Sequence, residues 1–149
     1  IPPREKANYL RNIADAHLEL GYLEFAFVNY EQAFILNPND YHSATRMGIL
    51  FMCADNQPQA IKLFEAILKE QPLNEEIKLY LAFAYTFHDR SKDGQKILEE
   101  LNLDSPHLKQ VLEILIAYKQ DAPMPNLWKL LLKTDSQEAN GKDIKTVVP

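Results

Sequence analysis

Cysteine is almost absent from this chain: Cys53 stands alone among 149 residues. One thiol rules out an internal disulfide and any multi-cysteine metal site, and it suits a reducing, cytoplasmic compartment. Glycine is also scarce, with four residues isolated at 21, 48, 94 and 141. A glycine-rich phosphate loop is therefore excluded. No apolar run approaches the ~18 residues of a membrane span, and no signal peptide is visible. Positive charge is nowhere concentrated. Residues 1–74 carry six basic and nine acidic groups and residues 75–149 carry ten and twelve, for a net charge of −5. Without a basic stripe, nucleic acid is not an expected partner. The length fits one domain able to bury a core.

Catalytic constellations are missing as well. His17, His42, His88 and His107 pair neither with each other nor with a carboxylate at metal-ligand spacing. Cys53 has no adjacent cation to lower its pKa. Glu75–Glu76 and Glu99–Glu100 are sequence neighbours that diverge on a helix, so neither is an acid/base pair. The expectation is a protein that is not an enzyme and uses no cofactor and no metal.

What the chain does have is a period. Leu10, Ile13, Ala14, His17, Ala26, Tyr30 and Pro38 recur thirty-four residues later as Ala44, Met47, Gly48, Phe51, Ala60, Phe64 and Pro72. A further step gives Lys78, Leu81, Ala82, Tyr85, Gly94, Leu98 and Pro106. Small residues at these places let two helix backbones approach, and a large residue four positions on fills the space on the same face. Proline closes the second helix because the residue before it leaves the helical region.

In this period and spacing the chain resembles the tetratricopeptide repeat family over residues 7–108. The resemblance implies an all-α, right-handed superhelical array of three helix pairs with a solvating helix at its C-terminal edge. The expected segments are a lead-in at 1–6, repeats at 7–40, 41–74 and a degenerate 75–108, and a solvating helix at 106–120. A short apolar helix at 124–133 and a polar tail at 134–149 complete the chain. The expected helices run 7–20, 23–36, 41–54, 57–70, from 75, and 91–102. Ser105 and Pro106 are placed to open the seventh, whose apolar stripe is Leu108, Val111, Leu112, Leu115 and Ile116.

The resemblance also implies a concave groove lined by the first helix of each repeat. Its candidate residues are Arg11 and Asp15 in the first repeat and Arg46, Ile49 and Met52 in the second. Leu79, Tyr80, Phe83 and Phe87 follow in the third. The fifth helix carries a second apolar stripe, Leu79, Tyr80, Phe83 and Phe87, opposite the one facing the stack. A helix apolar all round must be covered on both sides. The cover is either a partner or this chain's own seventh helix and 127–132 segment.

The function implied is a protein-interaction module or chaperone whose partner is a peptide with apolar anchors. The small bacterial chaperones of type III secretion translocators are similar in architecture. The clamp that grips a C-terminal carboxylate in heat-shock chaperones is not expected, because Asp15, Glu76 and Tyr80 stand where cations or asparagine are needed. The alternative is a structural subunit that forms homo-oligomers through the groove or the C-terminal tail. No membrane contact is expected.

Overall fold

A computed structural model of the chain describes residues 1–102, 104–121, 128, 129 and 131. All regular structure among them is helical. Seven helices follow one another: α1 (Pro3–Glu19), α2 (Leu23–Leu36), α3 (Tyr41–Cys53), α4 (Gln57–Glu70), α5 (Glu75–Phe87), α6 (Ser91–Glu100) and α7 (Pro106–Asp121). Residues 128, 129 and 131 are also helical; the rest of the expected 124–133 helix, and the 134–149 tail, lie outside the described residues. Among the described residues, no helix is long and apolar enough to cross a membrane. The contacts divide the chain into two compact units, Ile1–Leu50 and Phe51–Pro149.

The thirty-four-residue period is written in the backbone as well as the side chains. Gly21, Asp55 and Asp89 all adopt positive φ, at 81°, 59° and 59°. Each lies just past a helix end, and the next residue's N–H turns back to the helix: Tyr22 to the His17 carbonyl, Asn56 to Phe51, Arg90 to Tyr85. This is a left-handed helix cap, in which glycine is unstrained and aspartate is tolerated. The starts of α3 and α5 match in the same way. Asp40 Oδ1 accepts from the Ser43 N–H at 3.1 Å, and Asn74 Oδ1 accepts from the Ile77 N–H at 3.1 Å.

Two boundaries differ from expectation by more than one residue. The helix expected from residue 7 begins at Pro3, so most of the lead-in is helical. Proline suits the first turn, where its missing N–H has no helical acceptor, and Glu5 complements the helix dipole there. Ala7, which follows this extension, is fully buried, whereas residues 3–6 are exposed. The third pair is shortened: α6, expected to reach residue 102, ends at Glu100, while Pro106 opens α7 as expected.

In the first unit α1 packs on α2. Ala14, Ala26, Tyr30 and Ala33 are fully buried between them. In the second unit α5 is central, touching α4, α6 and α7. The approach of α6 is very close. A Cβ added to Gly94 would stand 2.5 Å from the Ala82 carbonyl oxygen and 2.5 Å from Thr86 Oγ1. From α7, Val111, Leu115 and Leu108 are buried, whereas Ile116 of the expected stripe is 43% exposed.

Candidate functional site

The first unit centres on the Asp15 carboxylate. Tyr30 reaches it from α2 and donates its phenolic hydrogen to Oδ1. Nε2 of His42 lies 3.3 Å from the same oxygen, and Nε of Arg46 lies 3.3 Å away as well. Burial pushes the Asp15 carboxyl upward. The hydrogen bonds from His42 and Tyr30 and the positive charges around it outweigh that effect, so its pKa falls below the ordinary carboxylate value. The Tyr30 hydroxyl moves the other way, because burial and the bond to Asp15 both resist ionisation. Arg11 turns to the buried Asp40, with Nη1 donating to Oδ1 at 3.4 Å.

Both arginines of the expected groove are thus matched to carboxylates inside the first unit. An incoming carboxylate would have to displace Asp15 or Asp40 from them. Ile49, also expected on this surface, is 1% exposed. The remaining expected residues belong to the second unit. Met52 and Leu79 are fully buried, Tyr80 is 2% and Phe83 3% exposed, and Phe87 is half-buried.

Tyr80 stacks on Phe64 of α4 with centroids 5.8 Å apart, and its hydroxyl donates to Glu76 Oε1 at 2.9 Å. Phe83 and Phe87 form a tilted pair at 6.0 Å. From α7, Nε2 of His107 lies 3.7 Å from Glu76 Oε2. The second stripe of α5 is therefore covered in this structure.

Part of the second unit's apolar interior comes from far along the sequence. Trp128 is 8% exposed and Leu131 fully buried. The Trp128 backbone hydrogen-bonds Cys53, a contact that favours the thiolate, but burial dominates and the Cys53 pKa rises to about 11. A thiol so held is a poor nucleophile at neutral pH. The apolar character of 127–132 is plain in the sequence. The seat of Trp128 beside Cys53 depends on tertiary folding and left no local signal.

The convergence on Asp15 also escaped sequence reasoning, although its members do not. Tyr30 is legible as the large partner of Ala26, and Arg46 as a groove position beside Asp15. That three of them would meet one carboxylate needs the pairing of helices to be known. Among the described residues no group of three or more possible metal ligands gathers. The chain matches no protein-family model, no curated protein and no solved structure.

Proposed function

We propose that this chain is a non-catalytic interaction module of three tetratricopeptide-like helix pairs, and that it binds a short apolar segment of a partner protein at the inner stripe of α5. On this proposal Trp128 and Leu131, buried in the same unit, take the place of that partner. Support comes from one observation above the others: a distant piece of the chain, bearing Trp128 and Leu131, is buried in the second unit with a backbone hydrogen bond to Cys53. A face that takes its own tryptophan and leucine offers the same desolvation to a partner's aromatic and aliphatic anchors. The backbone bond adds a contact that any peptide supplies, whatever its side chains.

The periodic helix caps at Gly21, Asp55 and Asp89 support the repeat assignment. In the first unit, Asp15 and Asp40 hold Arg11 and Arg46, so selection there rests on shape and hydrogen bonding more than on net charge.

Titrating a chain that ends at Asp121 with a labelled peptide of residues 122–133 tests the proposal. Saturable binding is expected, weakened about thirtyfold when the peptide carries Trp128→Ala. A shortened chain that is folded but leaves the peptide unbound would rule out the exchangeable face. A shortened chain that fails to fold would make that face permanent core.

A further inference from the structure

Unit 1 carries a second apolar surface, on the opposite side of α2 from its buried residues. Ala26, Tyr30 and Ala33 face inward and are fully buried. Phe25, Val28 and Ile35 are 63%, 51% and 67% exposed. They follow the a, d and d positions of a heptad, with Gln32 at the intervening a. At the N-terminal end the row continues into an aromatic group. His17 stacks on Phe25 with centroids 5.6 Å apart, and Tyr22, itself 53% exposed, meets Phe25 edge-on at 6.5 Å.

Charge decides what kind of partner fits. Glu24 and Glu31 are exposed along one flank of the row, one heptad apart. α2 contains no lysine or arginine at all. Asn29, on the other flank, is turned onto its own helix and donates to the Phe25 carbonyl at 2.9 Å. The row is thus an apolar seam with a one-sided acidic edge.

We propose that this face of α2 docks an amphipathic helix from a partner protein, one whose apolar seam is flanked by lysine or arginine. The four apolar side chains present on the order of 400 Å² together, within the size range at which exposed patches on monomers are commonly functional. That is about half of what each partner contributes to a standard protein interface, so it suits a single helix better than a second globular copy. Self-pairing would in addition set Glu24 and Glu31 against their own duplicates in an antiparallel dimer. This surface is separate from the inner stripe of α5, and neither proposal depends on the other.

The probes are two synthetic helices with the same leucine seam, one flanked by lysine and one by glutamate, followed by fluorescence anisotropy against the full chain. The lysine helix should bind, with affinity falling as salt is added, and the glutamate helix should bind at least tenfold more weakly. Phe25→Asp should weaken the lysine helix on the order of tenfold or more. Because Phe25 is largely exposed, the circular dichroism and melting of that variant should stay at wild-type values. The double exchange E24K/E31K should invert the preference between the two helices. Equal binding of both helices, or binding of neither, overturns the proposal. So does a dimer in sedimentation equilibrium that Phe25→Asp abolishes, which would assign the face to a second copy of the chain.

Discussion

The two units use one sequence register for opposite chemistry. In the first, Tyr30, His42 and Arg46 gather round Asp15. Thirty-four residues on, in the second unit, the places of Tyr30, His42 and Arg46 are taken by Phe64, Glu76 and Tyr80. There Phe64 stacks on Tyr80, and Glu76 accepts the Tyr80 hydroxyl. The helices and caps repeat, while the side chains filling the repeat change from a charged cluster to an aromatic stack. The scaffold therefore demands size at these positions and leaves polarity open. Polarity is what distinguishes the surfaces each unit can offer.

The largest effect should come from the apolar version. Phe64→Ala removes a fully buried ring and should cost about 3–5 kcal/mol in urea denaturation. A cost near that of an ordinary surface change would mean the stack with Tyr80 is not a core contact. Gly94→Ala comes next. Alanine is the better helix former by about 1 kcal/mol, yet its Cβ would strike the Ala82 carbonyl, so a net loss of about 1–3 kcal/mol is expected. A gain in melting temperature would show that α6 can move away at little cost.

Tyr30→Phe isolates the polar version, because it deletes the hydroxyl and keeps the ring. Leaving Asp15 one partner short should cost about 1–2 kcal/mol near neutral pH. The pH dependence carries a definite sign. A carboxyl whose folded pKa is depressed contributes stability above its unfolded value, and that contribution disappears as pH falls through the folded pKa. The urea midpoint of the wild type should therefore drop below about pH 4. Asp15→Asn should remove that part of the drop, and Tyr30→Phe should shift it to higher pH. Identical acid profiles for all three proteins would deny the cluster its electrostatic role. The smallest effect belongs to the caps. Asp89→Gly relieves a left-handed aspartate and should stabilise by up to about 1 kcal/mol; a loss would point to a structural duty for the Asp89 side chain.

Much of this fold could be read directly from the chain, because its signals are local. Asn37–Pro38 and Gln71–Pro72 stop their helices where expected, and Asp40 and Asn74 cap the next ones. The misplacements also have local causes. Pro3 sits where proline can either precede or open a helix, and the sequence alone does not choose between the two. Pro106 keeps the period while the helix before it is cut short.

For the candidate site, the second apolar stripe on α5 was visible as a pattern: Leu79, Tyr80 and Phe83 cannot all face water. The placing of Trp128 beside Cys53 was not visible, since the two lie far apart along the chain. The exposed row on α2 has no distinct signal in the sequence, because Phe25, Val28 and Ile35 look like core residues when the inward positions 26, 30 and 33 are also apolar.

Whether the 128–131 segment is a replaceable occupant or permanent core can be decided by the rate at which Cys53, the only thiol, reacts with a small reagent in increasing urea. A displaceable segment opens locally, so labelling should proceed far faster than global unfolding and depend only weakly on urea. Trp128→Ala should accelerate it further. Labelling that occurs only at the rate and with the full urea dependence of global unfolding would contradict a displaceable segment over Cys53.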